Sequence, residues 1–233
     1  INADDSYAKR VVESCNCKTL TVSAVSNDAD FSAKEIKYKT GSVSYELVTT
    51  GAIGRVTIHT PGIFSVYNSM LAGVVGIAIG MDFHDVVRYL CNSSGVKGRV
   101  EVVPSDRDFT MIIDYAHTPD ELENVLKMLN QIKKGRLVTL FGCGGDRDKG
   151  KRPIMGEIAA RLSDVVIVTS DNPRSENPGK IIEDILQGMK DSETPYTVIE
   201  NRADAIRYAI DNAQTDDVLL FAGKGHETYQ ILN

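Results

Sequence analysis

Residues 137–153 read LVTLFGCGGDRDKGKRP. The first five residues of this stretch are apolar at all but one position, which predicts a strand buried on both faces of a sheet. Glycines at 142, 144 and 145 let the backbone after that strand approach a ligand closely. Charged residues follow, and apolar residues with helical spacing then predict a helix over 154–162. A buried strand, a glycine-rich loop and a helix form the repeating unit of an α/β fold.

The same alternation continues on both sides of this stretch, from residue 99 onward. Short apolar runs separated by amphipathic helices favour a mostly parallel sheet with helices on both faces. The further strands are predicted at 111–113, 165–168, 196–199 and 218–221, and the further helices at 119–132, 180–189 and 203–213.

The first 60 residues have a different pattern, in which apolar and polar residues alternate. With glycines at 41, 51 and 54, this period of two predicts a small antiparallel sheet with strands near 19–22, 36–38, 43–48 and 56–58. Two helices are predicted after it, at 68–79 and 84–90. Residues 92–98, NSSGVKG, form a polar joint, and we place a domain boundary there, with domains at 1–97 and 98–233.

Composition narrows the class of protein. The 233 residues are 42% apolar and 25% charged, as in a globular chain with a sizeable core. A formal net charge of −6 predicts neither a nucleic-acid partner nor an anionic membrane, and the longest apolar run, 71–79, is too short to span a bilayer. Four irregularly spaced cysteines predict neither a disulfide framework nor a zinc site, so we expect a cytoplasmic protein. The amino terminus, INADD, reads as the interior of a longer protein, and we expect a monomer.

Polar clusters follow four of the predicted strands. In parallel sheets, ligands bind outside the carboxyl ends of the strands, so the clusters should meet at one edge. Each cluster also has a simpler interpretation: in chain order, the first is a capped helix start, the second a solvated charge run, the third a plain turn and the fourth a flexible loop. Neither a P-loop nor the glycine fingerprint of dinucleotide-binding proteins occurs in the chain. The clusters are DYAHTP at 114–119, GCGGDRDKGKRP at 142–153, DNPR at 171–174 and GKGHE at 223–227.

In this order, the four clusters resemble the motifs of the C-terminal half of the Mur ligase family. The resemblance extends over essentially the whole chain, including NADD at 2–5 and GRVE at 98–101. It implies a Rossmann-like C-terminal domain at 98–233 that binds the incoming amino acid. It also implies that residues 1–97 are the C-terminal part of the family's central ATPase domain, an incomplete α/β remnant.

The resemblance is strongest to the tripeptide-forming member, which adds meso-diaminopimelate to UDP-N-acetylmuramoyl-L-Ala-D-Glu in peptidoglycan biosynthesis. That reaction implies ATP and Mg²⁺, with the acceptor peptide activated as an acyl phosphate. The family's P-loop, magnesium ligands and carbamylated lysine precede the part that this chain resembles. We therefore assign no catalytic residue and no metal ligand here, and we expect the chain alone to lack ligase and ATPase activity.

Carried over position by position, the resemblance assigns ten residues to two groups. The residues implied to hold meso-diaminopimelate are Arg147, Asp171, Asn172, Arg174, Gly223 and Glu227. Those implied to contact the nucleotide are Asn68, Arg99, Asp114 and His117. One departure occurs in FSVYN at 64–68, where Ser65 stands in place of a family asparagine on the adenine side.

The chemistry of the implied ligand agrees with these residue types. Meso-diaminopimelate has two carboxylates, for which guanidinium groups are suited, and two amines, for which a carboxylate or a carbonyl oxygen is suited. Two alternatives stay open: a non-catalytic module that binds a zwitterionic amino acid, and a nucleotide-dependent oxidoreductase. Amino-acid binding without ATP turnover would favour the first, and binding of a nicotinamide cofactor would favour the second.

Overall fold

The computed structural model describes residues 1–39 and 41–231. The chain divides into two compact units, Ile1–Gly95 and Val96–Asn233, and the division falls inside the polar joint at 92–98. Within the described residues, no helix is long and apolar enough to cross a membrane.

The first unit contains a four-stranded sheet in the order β1-β2-β3-β4. Strands β2 to β4 pair antiparallel, as predicted, but β1 pairs parallel with β2, so a purely antiparallel sheet was wrong. The predicted strand at 19–22 is reduced to two residues, and the first helix was not predicted. The elements are α1 (Ala8–Ser14), β1 (Val22–Ser23), β2 (Phe31–Lys39), β3 (Ser42–Thr49), β4 (Ala52–Ile58), α2 (Ile63–Ala78) and α3 (Phe83–Cys91).

The core of this unit lies between the sheet and α2. Alternate residues of β3, Tyr45 and Leu47 among them, are fully buried, as are Val66 and Met70 one helical turn apart on α2. Burying a side chain of this size contributes about 1.5–3 kcal/mol. The Tyr45 hydroxyl is satisfied by Ser69 Oγ at 2.8 Å.

The second unit contains a six-stranded sheet in the order β5-β6-β10-β7-β8-β9. All neighbouring strands are parallel except β5 and β6, which confirms the predicted mostly parallel sheet. The short edge strand β5 was not predicted. The elements are β5 (Glu101–Val103), β6 (Thr110–Asp114), α4 (Pro119–Ile132), β7 (Leu137–Phe141), α5 (Lys151–Leu162), β8 (Val165–Val168), α6 (Pro178–Gln187), β9 (Tyr196–Val198), α7 (Arg202–Asp211) and β10 (Val218–Ala222).

Helices cover both faces of this sheet. On one face, Ala205 and Ala209 of α7 pack in a cluster with Val138 and Leu140 of β7. The alternate residues of β7 point to the other face, where α4, α5 and α6 pack side by side. There, Thr139 Oγ1 accepts a hydrogen bond of 2.7 Å from Ser163 at the end of α5.

Strand register brings the carboxyl ends of the central strands to one edge. Ala222 of β10 pairs with Asp114 of β6, and Phe141 of β7 pairs with Val168 of β8. The loops that follow these four strands therefore leave the sheet side by side. The helix α4 begins directly behind one of them, where Thr118 and Glu121 form a capping box.

Candidate amino-acid-binding site

A cleft of about 780 Å³ opens at this edge of the second unit. Loops after β6, β7, β8 and β10 all contribute to it, which joins the four polar clusters of the sequence in one site. Its walls include every residue implied by the resemblance to hold meso-diaminopimelate. The lining is formed by Tyr115, His117, Thr118, Pro119, Gly142, Cys143, Gly144, Arg147, Asp148, Gly150, Lys151, Ile154, Asp171, Asn172, Arg174, Gly223 and Glu227.

The loops after β7 and β8 are locked together by close backbone contacts. The Gly145 amide donates to the Asn172 carbonyl at 2.8 Å. A Cβ atom on Gly145 would lie 1.9 Å from the carbonyl oxygen of Pro173, so no other residue fits there without moving the backbone. Asp146 and Arg174 both adopt the left-handed conformation, with φ of 53° and 51°, and this turns the two loops toward each other.

A buried arginine braces the same two loops from behind. The side chain of Arg152 is 1% exposed, and its guanidinium donates to Glu176 at 2.8 and 3.1 Å and to Asp184 at 2.9 Å. The hydrogen bond from Arg152 is the main reason why the pKa of Glu176 falls to about 2. The helix predicted over 154–162 is α5, which begins at Lys151 instead, and this earlier start turns Arg152 inward, away from a ligand in the cleft.

Arg147 and Arg174 present guanidinium groups to the cleft. Arg174 Nη1 donates to the Gly145 carbonyl at 2.7 Å, and Arg147 Nη1 donates to the Asp146 carbonyl at 3.0 Å. Within the described residues, these bonds use only Nη1 of each side chain. Nε and Nη2 keep the geometry with which an arginine grips a carboxylate through two parallel hydrogen bonds.

Asn172 and Glu227 form another part of the cleft wall. Asn172 Oδ1 accepts from the Ile231 amide at 2.8 Å and from Lys224 Nζ at 3.0 Å, so its Nδ2 faces Glu227 Oε2 at 3.2 Å. Burial alone would raise the pKa of Glu227, but hydrogen bonds from Lys224 and Asn172 outweigh it and hold that pKa below its usual value. Glu227 is therefore an anion at neutral pH and can accept from an ammonium group.

A sharp turn returns the chain to the cleft after β10. Gly223 has a φ of 101°, which disfavours any side chain. The buried Arg202 holds this turn by donating to the Ala222 carbonyl at 2.7 Å. Burial lowers the pKa of Arg202, and the nearby charges of Asp171 and Glu227 oppose that effect. Arg202 thus supplies positive charge behind the carboxylates of Asp171 and Glu227.

Three of the four residues predicted to contact the nucleotide lie around Tyr115, beside the cleft. His117 lines the cleft, with Nδ1 3.0 Å from the Tyr115 carbonyl. Arg99 is exposed, with its guanidinium carbon 4.8 Å from the centre of the Tyr115 ring. Asp114 is buried and accepts from the amides of Val100 and Ala116. Burial raises the pKa of Asp114 despite these bonds.

Asn68 is exposed on α2 of the first unit. The structure thus places the six residues predicted for the amino acid, together with His117, in the cleft, and Arg99 and Asp114 beside it. It also shows four residues around the cleft to which the sequence assigned no role: Tyr115, Glu176, Arg202 and Lys224. Lys224 lies inside the GKGHE motif, so the sequence offered a signal for its role in the site, whereas nothing in the sequence pointed to Arg202.

Comparisons with known proteins agree with this architecture. The family model described as "Mur ligase, glutamate ligase domain" matches residues 98–225, and the "Mur ligase middle domain" matches residues 1–76. The diaminopimelate-adding ligase of Caldanaerobacter subterraneus, named UDP-N-acetylmuramoyl-L-alanyl-D-glutamate--2,6-diaminopimelate ligase, is 47% identical over 232 residues, which are 100% of this chain and 48% of that protein. The enzyme of the same name from Clostridioides difficile is 45% identical over 236 residues and is again covered to 48%.

Solved structures give the same result. A structure of a UDP-N-acetylmuramoyl-L-alanyl-D-glutamate--2,6-diaminopimelate ligase superposes with a TM-score of 0.73 at 36% identity, covering 100% of this chain and 49% of that one. A MurF ligase from Thermotoga maritima, solved in complex with ADP, shares the fold at a TM-score of 0.67 and 18% identity, covering 96% of this chain and 48% of that one. The chain spans about half the length of the relatives it matches. With both of its units matched by the family's models, the chain belongs to the Mur ligase family.

Proposed function

We propose that this chain provides the amino-acid-binding part of an ATP-dependent ligase that adds meso-diaminopimelate to UDP-N-acetylmuramoyl-L-Ala-D-Glu. In this proposal, residues 98–233 are the amino-acid-binding domain and residues 1–97 are the C-terminal part of the ATPase domain. The observation that carries the proposal is the cleft itself, where Arg147 and Arg174 face Asp171 and Glu227.

The polar groups of the cleft complement a diamino diacid. Arg147 and Arg174 each offer paired N–H donors to one carboxylate of the ligand. Glu227 and the Gly223 carbonyl accept from one ammonium group, and Asn172 Nδ2 adds a donor between them. Hydrogen bonds to the backbone hold the side chains of Arg174 and Asn172, so these parts of the site are organised before the ligand binds.

In such a ligase, ATP supplies the phosphoryl group that activates the acceptor carboxylate, with Mg²⁺ balancing the phosphate charge. The residues of this chain bind and orient the incoming amino acid, so that one amine can attack. Asn68, Arg99, Asp114 and His117 remain the predicted contacts on the nucleotide side. The buried Asp114 would act indirectly there, since its carboxylate fixes the backbone next to Arg99.

Arg174 makes the cleft selective for a substrate with a distal carboxylate. L-Lysine lacks this carboxylate, so Arg174 would lose its partner and face an extra positive charge. Removing one partner of a shielded arginine–carboxylate pair costs about 2–5 kcal/mol. Lysine should therefore be rejected through both loss of attraction and repulsion.

Kinetics of the full-length enzyme test the proposal. Arg174→Ala should raise the Michaelis constant for meso-diaminopimelate by about two orders of magnitude, since 1.4 kcal/mol corresponds to a tenfold change. Arg207→Ala is the matched control, because Arg207 is exposed on α7 and pairs only with the exposed Asp204 within the described residues. A parent enzyme that prefers lysine, or an Arg174→Ala enzyme that uses diaminopimelate as well as the parent does, would refute this assignment.

A binding module without turnover is the second candidate, because all six predicted amino-acid contacts lie in the second unit. In this case the chain would bind meso-diaminopimelate and the full-length protein would not consume ATP with it. Cytoplasmic location and a monomeric state remain predictions.

A further inference from the structure

Lys224 ends between the acidic groups of the cleft. Its Nζ atom lies 2.8 Å from Glu227 Oε2, 3.0 Å from Asn172 Oδ1 and 3.4 Å from Asp171 Oδ1. The Lys224 side chain is only 13% exposed, so this position is part of the packed wall rather than a surface contact. The ring of Tyr229 lies on another side of the ammonium, with its centre 5.4 Å away.

The buried carboxylate of Asp171 explains why a cation belongs there. Asp171 is 8% exposed, and its Oδ1 atom is buried without a hydrogen bond in the described part of the chain. A buried anion without a partner is costly, and Lys224 Nζ at 3.4 Å pairs with this charge, which the buried Arg202 also helps to offset. Lys224 donates hydrogen bonds to Asn172 Oδ1 and Glu227 Oε2 and interacts with Asp171 Oδ1 through charge alone.

The two oxygens of Glu227 consequently have different roles. Oε2 accepts from both Lys224 and Asn172, whereas in the described part of the chain Oε1 has only Tyr115 Oη, at 3.5 Å, as a neighbouring donor. One ligand ammonium can therefore bind Oε1 without displacing Lys224. A second ligand ammonium would need the position that Lys224 holds.

We propose that Lys224 is a specificity-determining residue, an internal cation that fills the acidic part of the cleft and limits it to one ligand ammonium. The inference rests on the proposed function and extends it from the ligand's carboxylates to its amines. With Lys224 included, the net charge of the cleft also complements that of the ligand. Four cations, Arg147, Lys151, Arg174 and Lys224, outnumber the three carboxylates of the lining, Asp148, Asp171 and Glu227, by one. A diamino diacid with one neutral, attacking amine carries one negative charge.

Removing Lys224 should change which amino acid the cleft selects. The Asp171 and Glu227 carboxylates would then face an empty space of ammonium size, which suits a ligand richer in amines than in carboxylates. We expect Lys224→Met to lower the preference for meso-diaminopimelate over L-lysine by about tenfold or more. Lys224→Arg keeps a cation at this position and should retain the preference of the parent.

Isothermal titration of the chain with meso-diaminopimelate and with L-lysine tests this inference. The control is Lys190→Met, which removes an exposed lysine distant from the cleft in sequence. Suppose that the parent binds meso-diaminopimelate but that Lys224→Met and Lys190→Met prefer it over L-lysine equally. This result would overturn the role of Lys224 and leave the proposed function standing. A parent that does not bind meso-diaminopimelate would overturn the proposed function and this inference together.

A pH profile of binding separates this role from a merely structural one. Lys224 helps to hold the pKa of Glu227 below its usual value, so its loss should move the acidic limit of binding to higher pH. That limit should stay in place for Lys224→Arg and Lys190→Met. Should Lys224→Met fail to fold by circular dichroism, Lys224→Gln removes the charge and keeps a polar group, and the same two readouts apply. An unmoved limit together with an unchanged preference in Lys224→Gln would refute the proposal.

Discussion

Arg152→Met tests how the two central loops of the cleft are held in place. Methionine is unbranched and uncharged and replaces only the aliphatic part of the arginine side chain, so Glu176 and Asp184 lose their bonds to the guanidinium. Because Glu176 also accepts from the Asp146 amide at 2.7 Å, its displacement should disturb the loop that carries Arg147. We expect a loss of stability and, with it, weaker binding of meso-diaminopimelate.

The size of the stability loss follows from the contacts of Arg152. Removing one partner of a buried ion pair costs about 3–5 kcal/mol. Two features reduce this cost. First, Lys149 Nζ lies 3.1 Å from Glu176 and stays as its partner in the variant. Second, Arg152 Nε is a buried donor without a hydrogen bond in the described residues, so the removal of this donor offsets the loss by about 1 kcal/mol. We therefore expect the free energy of unfolding of the second unit to fall by about 2–3 kcal/mol.

Urea unfolding followed by far-ultraviolet circular dichroism measures this loss, because the chain has no tryptophan. Amide hydrogen exchange in α5 and β7 assigns the loss to the second unit. The matched control is Arg161→Met on the same helix, where Arg161 is 50% exposed and pairs with Glu123 at 2.9 Å. Such exposed pairs contribute about 0–1 kcal/mol. Equal losses for Arg152→Met and Arg161→Met would show that the buried Arg152 does not hold the two loops in place.

Three further predictions concern the same unit. Gly145→Ala should weaken meso-diaminopimelate binding by about tenfold or more in a titration, since its Cβ would meet a backbone oxygen at 1.9 Å. The control Gly179→Ala lies on α6 outside the cleft lining, and its Cβ would first meet a side-chain oxygen at 3.1 Å, so this variant should bind as the parent does. The folded-state pKa of Glu176 is about 2, below the ordinary pKa of a glutamate. Ionised Glu176 therefore stabilises the folded state fully above its ordinary pKa, and this contribution is lost as the pH falls toward 2. In urea unfolding, the higher free energy of unfolding of the parent over Glu176→Gln should vanish over that pH range. Burial raises the pKa of Cys143 to about 12, so iodoacetamide at pH 8 should label the exposed Cys17 and leave Cys143 unmodified, as mass spectrometry of peptides would show.

Sequence patterns predicted the elements of the second unit well where local chemistry fixes them. The bounds of β7 and α4 agree with the prediction, because an apolar run ends at a glycine in one case and a capping box with Pro119 starts the helix in the other. Two short elements, α1 and β5, were missed. Neither carries a strong apolar pattern, and β5 exists because it pairs with β6.

The residue types around the cleft were predictable, but their pairing was not. Arg147 and Arg152 lie five positions apart in one charged run, yet one faces the cleft and the other is buried. The difference arises because α5 starts at Lys151, and because Glu176 arrives from the next loop along the sheet. Lys224 is a similar case, since only the turn after β10 brings it to Asp171.

A crystal structure of the chain with meso-diaminopimelate would locate the bound ligand. We expect the ligand in the cleft at the carboxyl edge of the second sheet, with its carboxylates on Arg147 and Arg174. One ammonium should lie against Glu227 Oε1 and the Gly223 carbonyl, with Lys224 still bonded to Oε2. A ligand bound elsewhere at saturating concentration, or one whose carboxylates contact neither arginine, would contradict this expectation.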